Sequence, residues 1–275
     1  MTRKNKKKYI WQSTEHLDKE KKMERLYRDY LQIWQAKNNS MDTLFNHIKE
    51  YDIEIDYAFN ITVKNTKEEK VPAFCCHLDT VHKEKPTPLC VNGVIFDGSG
   101  AGVGGDDKCG IIACLELLSS VPCKCIFFTE EEKGGLGARC YDQENLKDCK
   151  YLIEIDRKGN KDLIFTSGGT KLCSKEFQTA IKNHFVDFKE ALGTFTDVNV
   201  LDETNLNMMN ISCGYYLPHT SSTYVKLEDL QNVITLLKSF AELNLDFKSY
   251  KRKETQLVNY GTNQEPLWVN YADGF

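Results

Sequence analysis

Residues 104–128 read GGDDKCGIIACLELLSSVPCKCIFF, and this stretch decides the fold class of the chain. Two glycines and two acidic residues lead into an apolar segment, residues 111–118, which is typical of a buried helix. The apolar segment at residues 124–128 has the length of a strand. The order is therefore a helix followed by a strand, with the acidic pair where the helix begins.

The alternation of strands and helices continues on both sides of this stretch. This order is typical of an α/β domain, with a central mixed, largely parallel sheet flanked by helices. The predicted helices cover residues 16–37, a short segment after Ser40, and residues 111–118, 172–184 and 227–240. The predicted strands cover residues 57–63, 71–76, 124–128, 151–155 and 208–216.

The chain has 275 residues, of which 41% are hydrophobic and 28% are charged, a balance typical of globular proteins. It contains neither internal repeats nor a recognisable linker. We therefore predict a single domain over residues 1–250, which includes the N-terminal helices, and a C-terminal tail at residues 251–275.

The formal net charge is −4, which gives no reason to expect binding to nucleic acid. The basic start at residues 3–8 is interpreted as a solvated terminus, and an arm for nucleic acid or a membrane surface is the alternative. No apolar run is long enough to span a membrane, and the first residues lack the apolar stretch of a secretory signal. We therefore expect a cytoplasmic protein that binds neither membranes nor nucleic acid.

The eleven cysteines have no regular spacing and form no CxxC pair. Cys75, Cys76, Cys123 and Cys125 lie in predicted strands, where a reduced cysteine is a small core residue. We interpret the cysteines as core residues rather than as zinc-thiolate or redox sites.

Acidic residues and histidines follow several of the apolar strands. In open α/β sheets, binding sites form at the carboxyl ends of the strands, so these clusters are interpreted together. Each cluster alone has a plain structural explanation, such as an acidic helix cap or a solvated turn. The clusters are HLDTV at residues 77–81, GGDDKCG at residues 104–110, FTEEEKGG at residues 128–135, EID at residues 154–156 and PHT at residues 218–220.

Two of the clusters have features of a metal site. His77 and Asp79 are two residues apart, so in an extended segment the carboxylate can hold the imidazole of a metal ligand. Three successive acids at residues 130–132 repel one another after a buried strand unless a cation neutralises them. The Gly-rich loop before Asp106 has a rival interpretation as a phosphate loop, but its two acids and the lack of a GKS or GKT motif disfavour this.

Taken in chain order, the candidate ligands suit two zinc ions that share one bridging carboxylate. Such a centre polarises a carbonyl group and generates a hydroxide nucleophile near neutral pH. A carboxylate that binds no metal is then needed as general base, and the neighbours Glu131 and Glu132 can supply one base and one ligand. The candidate ligands are His77, Asp106, Glu132, Asp156 and His219.

In order and spacing, these five motifs resemble those of the co-catalytic dinuclear zinc peptidases. That superfamily includes peptidase T, glutamate carboxypeptidase, aminoacylase and the glutamyl aminopeptidases. The resemblance extends from Asn60 to Phe240. It implies the α/β fold of these enzymes and the hydrolysis of peptide bonds with two zinc ions, which cobalt or manganese can replace.

The resemblance also implies roles for the metal ligands. His77 and Asp156 would bind one zinc ion, and Glu132 and His219 would bind the other. Asp106 would bridge the two ions, with a cis peptide bond following it.

Two further roles are implied by the resemblance. Asp79 would orient His77 as a metal ligand. Glu131 would be the general base that takes a proton from the water bridging the two zinc ions and passes it to the leaving amine.

The chain departs from the peptidase T and aminoacylase branches between the last two candidate ligands. Only about sixty residues separate Asp156 from His219, too few for the inserted lid domain of those branches. The chain therefore looks like the lidless aminopeptidases, whose GTD-type segment resembles residues 193–197, interrupted here by Phe195. His82 stands where a proline often follows the HxDxV motif, and we expect it to be a surface residue.

The leading hypothesis is an aminopeptidase or small-peptide exopeptidase, with Glu130 or Glu154 as a candidate partner of the substrate amine. The first alternative is a zinc deacylase or carboxypeptidase acting on N-acylated amino acids or short peptides, although the missing lid counts against it. The second alternative is a non-catalytic binding protein that keeps the fold, but no candidate ligand and no general base has been lost. The expected partner is a short peptide or an acylated amino acid, and a homo-oligomer is left open.

Overall fold

The structure is a computed structural model that describes residues 18–37 and 41–252. Residues 3–8, the start of the first predicted helix, Ser40 and nearly all of the predicted tail lie outside the described residues. The helices are α1 (residues 18–29), α2 (Leu31–Trp34), α3 (Met41–Ile48), α4 (Gly105–Leu118), α5 (Leu136–Cys140), α6 (Lys175–His184) and α7 (Leu227–Glu242). The strands are β1 (Asp52–Ile55), β2 (Ile61–Lys64), β3 (Val71–His77), β4 (Pro88–Val91), β5 (Val94–Asp97), β6 (Lys124–Phe128), β7 (Cys149–Arg157), β8 (Asp162–Ser167), β9 (Thr170–Lys171), β10 (Lys189–Gly193), β11 (Met208–Ser212), β12 (Tyr215–Tyr216) and β13 (Tyr224–Lys226). Short 3-10 turns occupy Glu131–Lys133, Gln143–Leu146 and Asp197–Asn199.

The main sheet has the strand order β1–β2–β6–β3–β7–β11–β8–β10, and β9 pairs with β8. Its centre is parallel, because β3 pairs in parallel with both β6 and β7, and β7 pairs in parallel with β11. Antiparallel pairs join β1 to β2, β2 to β6 and β11 to β8. The sheet is thus mixed and largely parallel, as the alternating pattern predicts.

The central strands are buried on both faces, which explains their continuous apolar sequences. In β6, Phe127 packs into the core that includes α4 and α7, while Ile126 and Phe128 pack into the smaller core that includes α5. Helix α4 is buried along its whole length, in agreement with the apolar segment at residues 111–118. The helices therefore flank the sheet, as predicted.

A second sheet, in the order β12–β13–β5–β4, lies against the start of α4. A side chain at Gly105 would place its Cβ atom 2.7 Å from side-chain atoms of Tyr215 and Val225, so glycine is required there. The single strand predicted at residues 208–216 is divided between the two sheets, because the chain turns at Gly214 with a φ of +95°. No pattern in the sequence predicts the β4–β5 hairpin of this second sheet.

The strand predicted at residues 57–63 begins later than expected. Asp56 accepts the backbone N–H groups of Ala58 and Asn60, so the chain forms a side-chain-closed turn before β2 begins at Ile61. The preceding strand β1 is not predicted by the sequence pattern.

Two predicted helices also have different limits. Helix α6 begins after Ser174, whose side chain accepts the backbone N–H of Phe177, rather than at residue 172. The first predicted helix is interrupted by a turn at Tyr30, between α1 and α2. The last helix agrees with its prediction, since Leu227 and Phe240 are both buried on α7.

A cluster of charges around one buried acid joins the N-terminal helices to α4 and α7. Arg25 of α1 donates two hydrogen bonds to the carboxylate of Glu116 on α4, at 2.8 and 2.7 Å. Tyr30 donates to the same carboxylate at 2.7 Å, and Lys238 of α7 donates to it at 3.3 Å. Three helices thus meet at one buried acid.

A second contact joins α2 to the start of α4. The Nζ atom of the buried Lys108 donates to the carbonyl oxygens of Trp34 at 3.0 Å and of Val103 at 2.9 Å. Burial lowers the pKa of Lys108 to about 7. The N-terminal helices therefore pack directly on the helix that begins with the candidate bridging ligand.

The segment between Asp156 and His219 forms β8 to β12 and α6, which belong to the two sheets and the helices around them. Within the described residues it contains no separate lid, as predicted. No helix of the described part of the chain is long and apolar enough to cross a membrane. The eleven cysteines are free, and the four predicted to be core residues are buried.

Candidate active site

The predicted site residues meet at one edge of the main sheet. His77 is the last residue of β3, Asp156 is the last but one of β7, and residues 131–132 follow β6. Because β6 and β7 both pair in parallel with β3, the carboxyl ends of the three strands lie side by side. Asp106 comes from the start of α4, and His219 comes from the loop between β12 and β13.

Asp106 lies between the two histidines. Its Oδ1 atom is 3.0 Å from Nε2 of His77, and its Oδ2 atom is 3.3 Å from Nε2 of His219. The peptide bond between Asp106 and Asp107 is cis, as the resemblance implies. One carboxylate therefore presents its two oxygens to different histidines, which is the arrangement that a bridging ligand needs.

The other two candidate ligands lie on opposite sides of this carboxylate. Asp156 places Oδ1 at 3.6 Å from Nε2 of His77, and Glu132 places Oε2 at 3.2 Å from Nε2 of His219. The structure thus groups His77 with Asp156, and Glu132 with His219. His219 itself has a φ of +59° and is half-exposed, so it approaches the site from the solvent side.

A second grouping is also close enough to bind a metal ion. Ligand atoms of His77, Asp107 and Asp156 lie within 4.8 Å of one another, as do those of His77, Asp106 and Glu132. Asp107 is nevertheless engaged elsewhere, because its oxygens accept the backbone N–H groups of Gly110 at 2.9 Å and of His77 at 3.3 Å. We therefore regard Asp107 as a support of the site rather than as a ligand.

The crowded acids have perturbed pKa values. Burial, and after it the charge of Asp106, raises the pKa of Asp156 to about 8. Burial also acts to raise the pKa of Asp106, but hydrogen bonds with His219 and His77 lower it below its usual range. A cation placed among these groups would relieve the repulsion between the carboxylates.

The donor set fits a pair of divalent cations. Oε1 of Glu132 is buried and has no hydrogen-bond partner among the described residues, so it is available to a cation. Imidazole nitrogens and carboxylate oxygens are ligands that zinc binds tetrahedrally, and cobalt and manganese accept them as well. The residues therefore suit the two metal ions that the sequence predicts.

Asp79 connects His77 to the acidic turn after β6. Its Oδ1 atom lies 3.4 Å from Nδ1 of His77 and accepts the backbone N–H of Glu131 at 3.0 Å. Its Oδ2 atom accepts the backbone N–H of Glu132 at 3.2 Å. One buried carboxylate thus fixes a histidine and two neighbouring acids relative to one another. Burial raises the pKa of Glu131 to about 8.

Neither acid suggested as a partner of the substrate amine faces the site. Glu130 forms an exposed ion pair with Lys133 at 2.7 Å. Glu154 is only 1% exposed and accepts the backbone N–H of Asp197 at 3.0 Å. The carboxylate of Asp197 is fully buried beside it, with no hydrogen-bond partner among the described residues. In the sequence, the only indication that Asp197 lies near the site is its place in the GTD-like segment.

His82 is half-buried rather than fully on the surface. Its ring packs on Gly102, where an added Cβ atom would lie 2.3 Å from ring atom Cε1. Burial lowers the pKa of His82. The expectation of an ordinary surface histidine is therefore only partly correct.

Four of the five candidate ligands, all but the buried His77, line a cleft with a volume of about 330 Å³. The cleft is lined by the candidate ligands Asp106, Glu132, Asp156 and His219 and by the candidate general base Glu131. The remaining walls come from residues 157–158 at the end of β7, from Ile164 and Ser167 of β8, from residues 193–196 and from Asn210, Tyr215 and Pro218. The β7–β8 turn contributes Arg157 and Lys158, which no motif in the sequence singles out.

The sequence model of peptidase family M28 matches residues 59–225, which is more than half of the chain. The chain therefore belongs to peptidase family M28. A comparison with curated proteins found no match.

Several solved peptidase structures share this fold. The aminopeptidase PepT from Bacillus cereus is similar with a TM-score of 0.67 and 14% identity, over 80% of this chain and 98% of that chain. A tripeptidase from Staphylococcus aureus gives a TM-score of 0.64 and 14% identity, over 80% and 98% of the two chains. The TET1 peptidase from Pyrococcus horikoshii, described as assembling into a tetrahedron or a large octahedral shell, gives 0.57 and 13%, over 78% and 98%. These similarities concern the mixed sheet and its flanking helices.

Proposed function

We propose that the chain is an aminopeptidase that removes residues from the N-terminus of short peptides with the help of two zinc ions. The observation that carries this proposal is the Asp106 carboxylate, whose oxygens face His77 and His219 in the cleft that also contains Glu131. Membership of a peptidase family supports it, as does the fold shared with the aminopeptidase from Bacillus cereus.

Each metal ion has a proposed set of ligands. His77 and Asp156 would hold one ion, Glu132 and His219 would hold the other, and Asp106 would contribute to both. When bound, the two cations polarise the carbonyl group of the scissile bond and lower the pKa of the attacking water.

Glu131 is the proposed general base. Its side chain lines the cleft beside the candidate ligands. Burial raises its pKa to about 8, and the positive charge of two bound cations would lower that pKa and so favour the carboxylate that accepts a proton. It takes this proton from the attacking water and transfers it to the leaving amine nitrogen. Asp79 is the proposed positioning residue, because it holds His77 and the backbone N–H of Glu131 together.

A zinc deacylase or carboxypeptidase is the second candidate, because the cleft wall carries the basic side chains of Arg157 and Lys158. Such an enzyme must bind the carboxylate of its substrate, and these residues offer a partner without a lid. A non-catalytic binding protein is disfavoured, since Glu131 and four of the five candidate ligands line one cleft, and the fifth, His77, lies buried against Asp106.

The test is the hydrolysis of one short peptide in three forms, free, N-acetylated and C-amidated, with added zinc and with a chelator. We expect chelator-sensitive cleavage that is lost on N-acetylation, because an aminopeptidase needs the free amine. Cleavage that survives acetylation but requires the free carboxylate would replace this proposal with the deacylase or carboxypeptidase. An absence of cleavage in zinc-loaded protein would contradict both.

Two further parts of the proposal concern the metal and the assembly. Elemental analysis of the purified chain distinguishes zinc from cobalt and manganese. The assembly of the TET1 peptidase supports a homo-oligomer for this chain as well, and light scattering measures its mass.

A further inference from the structure

The cleft beside the candidate ligands has a basic wall. Arg157 and Lys158 both line the cleft at the turn between β7 and β8. The acids that line the cleft are Asp106, Glu131, Glu132 and Asp156. Each already has a proposed role, as a metal ligand or as the general base. Apart from His219, a candidate metal ligand, these two side chains are the only charged ones among the other described residues that line the cleft.

Most of the hydrogen-bonding capacity of these two side chains is unused. Arg157 donates from Nε to Asp162 at 3.1 Å, and its two Nη groups have no hydrogen-bond partner among the described residues. Lys158 forms no ion pair with any described residue. The guanidinium is therefore oriented by one acid but keeps the donor groups that would bind a second one.

An irregularity of the sheet explains why Arg157 reaches the cleft. Asn210 and Ser212 of β11 face Glu154 and Arg157 of β7, so β7 contains one residue more than its partner there. In a regular strand, Asp156 and the residue after it would point to opposite faces of the sheet. A bulge redirects side chains, and here both residues line the cleft.

The turn that carries the two cations is held firmly by its neighbours. The backbone carbonyl of Arg157 accepts the N–H of Cys213 at 2.9 Å, and that of Lys158 accepts the hydroxyl of Ser212 at 2.8 Å. Gly159 donates its N–H to Tyr215 at 2.8 Å. The basic pair thus directly follows the candidate ligand Asp156 in the chain, where β7 ends and the hydrogen-bonded turn begins.

We propose that Arg157 and Lys158 form a subsite that binds a carboxylate of the substrate. This inference rests on the proposed function, because it concerns the cleft in which the peptide would lie. The carboxylate comes from the C-terminus of a short peptide or from an acidic side chain, and both present the same two oxygens to the subsite.

Binding can be measured without turnover in the zinc-loaded Glu131→Gln protein by titration calorimetry. One arm compares an alanine tripeptide as free acid and as C-terminal amide. The other arm compares C-amidated tripeptides that begin with glutamate or glutamine. Both comparisons are repeated in Lys158→Met and Arg157→Met, and in Lys161→Met as the matched control, since Lys161 lies in the same turn but outside the cleft lining.

We expect the carboxylate form to bind about tenfold more tightly than its neutral counterpart in at least one arm, because hydrogen bonds to charged groups are strong. This preference should fall in both cleft variants and persist in Lys161→Met. The arm in which it appears identifies the source of the carboxylate.

Equal or absent binding of the paired peptides in both arms would overturn the subsite, as would a preference that survives both cleft substitutions. Hydrolysis by the unmodified protein is measured separately. A chain that cleaves peptides without any carboxylate preference disproves the subsite alone, whereas a chain that binds carboxylates but cleaves nothing disproves the proposed function alone.

Discussion

At the scale of single residues, the Asp106 carboxylate connects the two halves of the candidate metal centre. It approaches His77 through one oxygen and His219 through the other. We predict that Asp106→Ala lowers the zinc content at both sites, because one side chain serves both ions. Elemental analysis of the purified variant gives the zinc content per chain. The control is Asp187→Ala, an exposed acid far along the chain from the ligands. Two retained zinc ions per chain in Asp106→Ala would rule out a bridging role.

Glu131 and its neighbour Glu130 offer a matched pair for testing the general base. Glu131→Gln keeps the shape of the side chain but cannot accept the proton, so we expect kcat to fall by about two to four orders of magnitude with zinc retained. Glu130→Gln changes an exposed side chain outside the cleft and should keep its turnover. Steady-state kinetics on the same peptide decide the matter, and a near-normal kcat in Glu131→Gln would remove this residue from the role.

The proximity of the candidate ligands could be predicted because each of them follows or precedes a strongly patterned element. His77 ends an apolar strand and Asp106 begins an apolar helix, so their positions followed from the alternation of elements. Arg157 could not be predicted to face the cleft, because this depends on a bulge in its pairing with β11. The support given by Asp107 depends on the approach of Gly110, where an added Cβ atom would lie 2.2 Å from the carboxylate, and this contact also leaves no signal in the sequence.

At the scale of the elements, Glu116 of α4 forms hydrogen bonds with residues of α1 and α7 and so links the three helices. Removing its charge leaves the guanidinium of Arg25 without its partner, and hydrogen bonds to charged groups contribute about 2 kcal/mol. We predict that Glu116→Gln lowers the free energy of unfolding by about this amount, as measured by urea denaturation. Glu242→Gln on α7 is the control, since this exposed acid has no ion pair among the described residues. An unchanged midpoint in Glu116→Gln would show that the cluster contributes nothing.

The same cluster should make stability depend on pH. Burial acts to raise the pKa of Glu116, but the hydrogen bonds of Arg25 and Tyr30 lower it to about 2. A carboxyl whose folded pKa is lowered stabilises the fold above its unfolded pKa of about 4.3, and this contribution disappears as the pH falls towards the folded value. Between pH 4.5 and pH 2, approximately the window set by these two values, the unmodified protein should therefore lose more stability than Glu116→Gln does. Parallel slopes for the two proteins would contradict this role.

Among the elements, the buried ones were predicted best. Strand β6 and helix α7 have long apolar patterns, and the structure has them where the pattern indicates. The second sheet was not predicted, because its strands contain two to four residues and are separated by tight turns. The division of residues 208–216 depends on the left-handed conformation of Gly214, and glycine alone does not reveal in which strand a turn will form.

At the scale of the whole molecule, the proposed metal ions should stabilise the folded state in addition to supporting the proposed reaction. Four carboxylates converge on the cleft, and a cation that binds only the folded state adds to its stability. We predict that a chelator lowers the melting temperature and that added zinc restores it, as followed by scanning calorimetry. Asp106→Ala serves as the control, because a chelator should hardly change its melting temperature. A melting temperature independent of chelator in the unmodified chain would count against metal binding.

The overall architecture followed from the sequence because it depends on patterns rather than on individual contacts. The short distance between Asp156 and His219 predicted a lidless molecule, and the segment between them adds only to the two sheets and their helices. The position of the N-terminal helices could not be predicted in this way. Their described residues do not line the cleft, and they lie against α4, where Glu116 and Lys108 form hydrogen bonds with them.

The hydrogen bond from Lys108 to Trp34 has a consequence for the smallest unit that can fold. The family similarity begins at residue 59, after the N-terminal helices. A shortened protein starting there would leave the ammonium of Lys108 without one of its two carbonyl partners, only two residues from Asp106. It would also remove the hydrogen bonds that Arg25 and Tyr30 donate to Glu116. The part of the chain that the family model matches is therefore smaller than the part whose hydrogen bonds support the helix that carries the candidate bridging ligand.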